Sequence, residues 1–153
     1  MAKRVPRSAR SRANKPARAP RVTKIIPEST RPRPKPNRPT DKARAFAIAC
    51  AKLLAENHCE DIVALDLVGV SPICDYFVIA TGTSDRQLRA VADHLTDLGK
   101  ASGEKPFGVA GYDEGAWIIV DYVDVVIHLF DADKRAYYDL DSLWGDRPKV
   151  DWA

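Results

Sequence analysis

The chain has no long apolar run and few cysteines. No stretch approaches the roughly 18 consecutive apolar residues that a membrane span needs, and no charged start is followed by an apolar signal segment, so we expect neither a membrane span nor secretion. Cys50, Cys59 and Cys74 are odd in number and lack CxxC spacing, which is atypical of a disulfide framework or a zinc site. These absences predict a soluble cytoplasmic protein with reduced thiols and without a bound metal or cofactor.

Acidic residues are almost absent from the first 40 positions. That segment holds 13 Lys and Arg against only Glu28, a net charge of +12, together with 8 of the 11 prolines. Residues 41–153 hold 11 basic and 20 acidic residues, a net charge of −9. Because residues 1–40 have too few apolar side chains to offset the entropy of ordering a backbone, we predict a disordered basic tail. Its two candidate roles are attraction to RNA phosphates and solubilisation of the domain. Residues 41–153 are predicted to form one globular domain.

A strand that turns sharply into a helix, at residues 75–95, is the clearest local signal. Tyr76 to Thr81 is aromatic, β-branched and apolar, which is typical of a strand covered on both faces, and Gly82 supplies the turn. Ser84 and Gln87 have the spacing of a capping box, in which the glutamine side chain would return to the serine amide. Apolar residues then recur at helical spacing and predict a helix: Leu88, Val91, Ala92, Leu95 and Leu98.

The same periodicities predict the other elements. A first helix should begin near Thr40 and end at Asn57 and His58. Strands are expected at 62–68, 105–110, 116–122 and 125–130, with a tight turn at 123–124. A last helix from about Ala132 to Gly145 should turn these residues inward: Ala136, Tyr137, Leu140 and Trp144. The order αββαβββα predicts an α/β or α+β domain, with one mixed sheet of about five strands and helices packed on it.

Trp117 lies on a predicted strand whose two faces can be separated by alternation. Trp117, Ile119 and Asp121 share one face. If helices cover only the other face, this face is exposed and Trp117 is a typical interface anchor. If helices cover both faces, Trp117 belongs to the core. The residues alone leave the two interpretations open.

Gly82-Thr83-Ser84, at a helix N-terminus, is a candidate phosphate cradle. A nucleotidyltransferase places such a turn beside carboxylates that hold two metal ions, and Asp66, Asp121 or Asp124 would have to supply them. Asp121 and Asp124 would point to opposite faces if both were extended, and Asp85 would repel a phosphate. The sequence therefore favours a structural turn and helix cap.

His128 is a candidate ligand or base without partners at the required spacing. No second His or Cys lies at metal-ligand spacing, which argues against a metal site. A triad of Ser84, His128 and Asp121 can be written, but the sequence offers no Gly-x-Ser-x-Gly nucleophile elbow. We therefore predict no catalytic residue.

Two long blocks carry a resemblance. The first runs from Asp75 to Ser84 and continues to Gln87, and the second runs from Trp117 to Phe130. Further matching residues follow the second block: Arg135, Tyr138, Leu140, Leu143 and Trp144. From about Lys42 to Trp144 the chain resembles the ribosomal silencing factor family, also called Iojap. Where that family usually has glycine between two aspartates this chain has Val123, so a differently shaped turn is expected there.

The resemblance implies a nucleotidyltransferase-like fold used as a binding module rather than as an enzyme. Such a factor docks on a protein at the intersubunit face of the large ribosomal subunit and sterically blocks joining of the small subunit. The resemblance favours the interface interpretation of Trp117. The implied partner-binding residues are Asp75, Thr83, Ser84, Gln87, Trp117, Ile119, Asp121, Asp124 and His128.

Charge fits this role and leaves alternatives open. An acidic domain suits a basic ribosomal protein, and the tail would add weak rRNA contact. The alternatives are a divergent nucleotidyltransferase enzyme and a general RNA-binding protein that acts through the tail. The sequence leaves the oligomeric state open, a homodimer included.

Overall fold

The structure, a computed structural model, describes residues 40–153. Residues 1–39 of the predicted tail lie outside the described residues, and Thr40 begins the first helix. The helices are α1 (Thr40–Glu56), α2 (Asp85–Ala101), α3 (Ala132–Tyr138) and α4 (Leu140–Trp144). The strands are β1 (Glu60–Asp66), β2 (Tyr76–Gly82), β3 (Gly108–Ala110), β4 (Trp117–Asp121) and β5 (Val125–Asp131). This is the predicted mixed α+β domain.

The five strands form one sheet in the order β1-β2-β5-β4-β3. β2 and β5 run parallel in the centre, and the other neighbours are antiparallel. A bulge between Glu60 and Val63 interrupts the edge pairing of β1 with β2. The central strands are almost entirely buried, as expected for parallel strands covered on both faces.

One face of the sheet packs against helices α1 and α2, and we call it the helix-covered face. Its aliphatic side chains alternate along β4 and β5 with those of the opposite face. The largest core cluster of the described residues lies here and includes Val78, Ile118, Val120, Ile127, Leu129, Leu88 and Leu95. Phe46 of α1 meets the ring of Tyr122 edge-on at 4.8 Å, and the Tyr122 hydroxyl donates to the carbonyl of Leu95 in α2. Both helices are thereby fixed to the sheet.

The predicted strand-to-helix corner is confirmed, with one change in its hydrogen bonds. Ser84 caps α2 by accepting a bond from the Gln87 amide at 3.0 Å. The returning Gln87 side chain accepts from the amide of Thr83 at 2.6 Å, not from that of Ser84 as predicted. Gln87 also donates to the carbonyl of Asn57, so the corner is tied to the end of α1.

Several boundaries differ from the sequence prediction. β1 ends at Asp66 instead of Val68, because the Asp66 carboxylate accepts the Val68 amide and turns the chain into a loop. The strand expected at 105–110 is formed only from Gly108. The single last helix is wrong: Asp139, with a φ of 50°, separates α3 from α4 and caps α4. Tyr137, expected inward, is 62% exposed, and Ala136 is also exposed.

The turn between β4 and β5 is confirmed, and Val123 takes the conformation that a glycine would favour. Its φ is 73°, and the amide of Asp124 donates to the carbonyl of Tyr122 across it at 2.8 Å. A β-branched residue in this region is strained. Val123 therefore occupies a backbone conformation that glycine adopts without strain.

Within residues 40–153, no helix is long and apolar enough to cross a membrane. The three cysteines are buried free thiols. Burial raises the pKa of Cys59 to about 11, with a smaller contribution from the charge of Glu60. A protonated buried thiol is a poor nucleophile and metal ligand, so Cys59 acts as a core residue.

Candidate functional site

The side of the sheet opposite α1 and α2 carries a row of rings, which we call the aromatic face. The strand register places Trp117 beside Phe130, and Ile119 beside His128. In the parallel pair, His128 lies beside Ile79. The rings of the aromatic face are Phe77, Trp117, His128, Phe130, Tyr138 and Trp144. Strand alternation therefore places Trp117, Ile119 and Asp121 on this face. The pairing of β2, β5 and β4 brings its aromatic side chains together.

Trp117 is held in place from three directions. Its ring stacks on Phe130 at a centroid distance of 4.8 Å and lies 4.3 Å from the ring of Tyr138. Its indole N–H donates to Nδ1 of His128 at 3.2 Å. The side chain is half-buried. A tryptophan with a fixed orientation and an accessible edge loses little conformational entropy when it binds a partner.

His128 is a buried support for Trp117. It is 5% exposed, and its ring meets Phe77 edge-on at 4.7 Å. Burial lowers the pKa of His128 to about 4, although the charge of Asp121 opposes this shift. The ring is therefore neutral at neutral pH, and because Nδ1 accepts from Trp117, its proton lies on Nε2. Nε2 has no hydrogen-bond partner among the described residues.

Helices α3 and α4 lie across part of the aromatic face. Tyr138, Leu140 and Trp144 pack on its cluster, and Trp144 meets Phe77 edge-on at 5.9 Å. Neither helix has a fully buried residue, so their cover is partial. The expectation that the whole Trp117 face is exposed is wrong for Ile119 and Asp121, which are 4% and 3% exposed.

Arg135 attaches helices α3 and α4 to the sheet. Its guanidinium binds both carboxylate oxygens of Asp141, at 3.0 and 2.9 Å, and so joins α3 to α4. It also donates to the Thr81 hydroxyl at 3.0 Å and to the carbonyl of Asp61 at 2.6 Å. The hydrogen bonds from Arg135 lower the pKa of Asp141. No periodicity marks this role, because the partners are up to 74 positions apart.

Thr83 and Ser84 lie at the same end of the sheet as Trp117 and are exposed. Thr81 and Trp117 both pair with Phe130, so they are two strands apart, roughly 10 Å at the usual spacing. The Thr83 amide is taken by the Gln87 side chain. A phosphate cradle needs such amides free, so the turn has the geometry of a helix cap.

Asp75, Asp121 and Asp124 lie at the other end of the sheet. The amide of Asp75 donates to the carbonyl of Asp124 at 2.9 Å, and the Asp121 carboxylate accepts the Val123 amide at 2.8 Å. Asp124 is 1% exposed. The structure therefore divides the nine implied binding residues: these three shape the β4–β5 turn, and the others lie in the middle of the sheet or at its Trp117 end.

Two of the three carboxylates proposed for a nucleotidyltransferase, Asp66 and Asp121, are held apart by the sheet. Strands β2 and β5 separate Asp66 from Asp121, roughly 14 Å at the usual strand spacing. Two catalytic metal ions lie only about 4 Å apart. Within residues 40–153, no group of three or more His, Cys, Asp or Glu side chains has a geometry that could hold a metal ion.

Four aromatic residues of this face were not predicted as site residues. Phe77, Phe130, Tyr138 and Trp144 supply four of the six rings of the aromatic face. Strand alternation would have found Phe77 and Phe130, since they share the face of Ile79 and His128. Tyr138 and Trp144 could not be found in this way, because their position depends on the break at Asp139.

Comparison with known proteins gives one consistent result. The family model described as "Ribosomal silencing factor during starvation" matches residues 40–153. The ribosomal silencing factor of Bacillus subtilis is 44% identical over 96 residues, which cover 63% of this chain and 81% of that protein. The corresponding protein of Halalkalibacterium halodurans is 40% identical over 96 residues, 63% of this chain and 82% of its own length.

Solved structures agree with these sequence matches. A crystal structure of a protein from Chromobacterium violaceum superposes with a TM-score of 0.63 at 31% identity. The superposition covers 71% of this chain and 88% of that one. The described domain therefore has the fold of that solved chain over most of its length.

Proposed function

Because this chain belongs to the ribosomal silencing factor family, we propose that it is a non-enzymatic ribosome-binding repressor of translation. It docks on a protein at the intersubunit face of the large ribosomal subunit. By occupying that space it prevents the small subunit from joining. It acts in the cytoplasm and needs no cofactor.

The observation that carries this proposal is the fixed, half-exposed Trp117 on the aromatic face. Large interface energies come from a few aromatic or arginine side chains that fill pockets on the partner. Trp117 has the required size, and its hydrogen bond to His128 and its stacking on Phe130 fix it before binding. Phe77, Tyr138 and Trp144 are half-buried around it and supply the rest of the contact surface.

The other residues of the site act at a distance from the partner or at the edge of the contact. Ile119, Asp121 and His128 are nearly inaccessible and support the face from below. Thr83 and Ser84 are exposed and extend the contact at the Trp117 end of the sheet, where Gln87 fixes their turn. Asp75 and Asp124 maintain the opposite end of the sheet.

Charge assists the encounter. Residues 41–153 carry a net charge of −9, which complements the basic surface typical of ribosomal proteins. Such complementarity mainly raises the association rate and orients the partners. The +12 segment before it adds weak, salt-sensitive contact with rRNA and raises the local concentration of the domain.

Sedimentation of the full chain with purified ribosomal subunits tests the proposal. We expect co-migration with the large subunit and not with the small subunit or with intact ribosomes. Preincubation of large subunits with the protein should lower the yield of joined ribosomes when small subunits are added. Equal binding to both subunits, or binding to the small subunit alone, would contradict the proposed function.

A further inference from the structure

The loop between β1 and β2 presents apolar side chains to solvent. The large apolar side chains that are exposed among residues 40–153 occur in two places. Tyr137 and Leu143 lie on the short helices α3 and α4, whereas Val68, Val70 and Ile73 lie in the β1–β2 loop and are 37%, 48% and 52% exposed. We call these three loop side chains the loop patch. Exposed apolar side chains that are grouped mark contact surfaces, whereas single ones are common on any protein.

The loop patch has no charged side chain of its own. Residues 67–74 read Leu-Val-Gly-Val-Ser-Pro-Ile-Cys, and the flanking residues are Asp66 and Asp75. RNA is bound mainly through Lys and Arg, which neutralise its phosphates, so this loop has the wrong chemistry for rRNA. An apolar surface bordered by carboxylates instead suits an apolar surface on a protein that carries basic residues around it.

Hydrogen bonds fix the shape of the loop. The Leu67 carbonyl accepts the amides of Val70 and Ser71 at 3.0 and 3.1 Å. The Ser71 hydroxyl accepts the Ile73 amide at 3.1 Å. β-branched side chains on a fixed backbone have few rotamers to lose, so their contact with a partner costs little conformational entropy.

The loop is continuous with the aromatic face. Leu67 and Cys74, at its two ends, are fully buried members of the core cluster of that face. Phe77 packs against the same cluster, and its ring meets that of His128 at 4.7 Å. His128 in turn accepts the hydrogen bond from Trp117. A series of packed residues therefore joins the loop to Trp117.

The distance between the loop patch and Trp117 suits a single protein partner. Strand pairing aligns Asp66, at the start of the loop, with Tyr76 and Val125, whereas Trp117 pairs with Phe130. Val125 and Phe130 are five positions apart on β5, roughly 17 Å. A stable contact buries roughly 800 Å² per partner and is about 30 Å across, so it reaches both ends of the sheet. Three partly exposed side chains fill only a small part of that area, so the loop patch cannot hold a partner alone.

We propose that the loop patch is a second contact surface for the protein that docks on the aromatic face. That protein places apolar side chains against Val68, Val70 and Ile73 and basic side chains around them. The inference rests on the proposed function, because it assigns the loop to the same large-subunit partner. None of the three residues is among the nine implied by the family resemblance. A second copy of this chain and rRNA are the alternative occupants.

The affinity of the full chain for purified large subunits tests the proposal. Val68→Thr combined with Val70→Thr keeps the β-branched shape and removes apolar surface, so it should weaken binding about fivefold. The matched control, Ala55→Ser with Ala90→Ser, introduces two hydroxyl groups at exposed positions of α1 and α2 and should change the affinity less than about twofold. Because all four positions are exposed, thermal melts of both double variants should match the wild type.

The results separate this inference from the proposed function. If the wild-type chain does not bind large subunits, the proposed function fails and the inference fails with it. If Trp117→Ala weakens binding while the loop variant binds like the wild type, the proposed function stands and the loop patch is not part of the contact. Equal weakening by the loop variant and by the control pair would also overturn the inference.

Photocrosslinking identifies the occupant of the loop patch. The photoreactive amino acid p-benzoylphenylalanine is placed in the full chain either at position 70 or at position 137, where it replaces the exposed tyrosine beside the aromatic face. On purified large subunits, both positions should crosslink to the same ribosomal protein, as identified by mass spectrometry. A product from position 70 with rRNA, with a second copy of this chain or with a different ribosomal protein would contradict the proposal, as would the lack of any product from bound chain.

Discussion

The two faces of the sheet share strands β2, β4 and β5 but are covered by helices of different length. On the helix-covered face, two 17-residue helices bury aliphatic side chains completely. On the aromatic face, two helices of seven and five residues, without a buried residue of their own, leave several rings half-exposed. The difference indicates that stability is concentrated on one side of the sheet and partner contact on the other.

The largest expected effect is on the helix-covered face, from Ile127→Ala. Ile127 is 0% exposed in the centre of the cluster, so the change leaves a cavity and should lower the free energy of unfolding by about 3 kcal/mol. Ile73→Ala is the matched control, because Ile73 is 52% exposed and should matter little. Chemical denaturation measures both. A small effect at Ile127 would mean that this face is not the main source of stability.

The second effect is a pH dependence that originates on the aromatic face. The folded pKa of His128, about 4, lies below its ordinary 6.5, so the unfolded chain takes up a proton first as pH falls. This contribution to stability is complete above about pH 6.5, decreases as pH falls, and stops changing below about pH 4. The loss between pH 7 and pH 5 should be on the order of 2 kcal/mol.

Denaturation at several pH values tests this dependence. His128→Phe should flatten the profile between pH 7 and pH 5. His94→Gln, at an exposed position of α2, should leave the profile as in the wild type. An unchanged slope in His128→Phe would show that another group is responsible, and that Trp117 is not oriented by a neutral imidazole.

The third prediction concerns the attachment of α3 and α4. Arg135→Met removes the paired bonds to Asp141 and the bonds to Thr81 and Asp61, and should cost about 1.5 kcal/mol. Hydrogen exchange should rise first in α3 and α4. Arg89→Met is the control, since its pair with Asp85 is a more exposed contact within one helix. Equal effects of the two changes would mean that Arg135 is not the attachment point.

The smallest expected effect is a gain. Val123→Gly should raise the free energy of unfolding by about 0.5 kcal/mol, because glycine adopts the φ of 73° without strain but loses more entropy on folding. Val123→Ala keeps the strain and should give no gain. Thermal melts compare the two variants. A gain from alanine as large as that from glycine would remove strain as the explanation.

The parts of this fold that could be predicted are those encoded by neighbouring residues. The corner at Gly82 follows from a buried strand, a glycine and a serine cap within ten positions, and the structure confirms it. The start of β1 was missed, because Glu60 and Asp61 do not show strand alternation and pair around a bulge. Tertiary contacts, rather than the local sequence pattern, determine where β1 begins.

The candidate site shows the same limit. Alternation correctly grouped Trp117, Ile119 and Asp121 on one face. It could not show how far that face is covered, because the cover depends on Asp139 breaking the last helix and on Arg135 reaching Asp141. The result lies between the two interpretations of Trp117, since its face is part core and part surface.

The most direct test of docking through the aromatic face compares two half-buried tryptophans. Trp117 lies on the aromatic face, and Trp152 packs against the cluster of the helix-covered face. Trp117→Ala should weaken binding to purified large subunits by about 2 kcal/mol, roughly 30-fold, while Trp152→Ala should leave the affinity almost unchanged at a temperature where both variants remain folded. Equal losses of affinity, or a loss only for Trp152→Ala, would contradict the account.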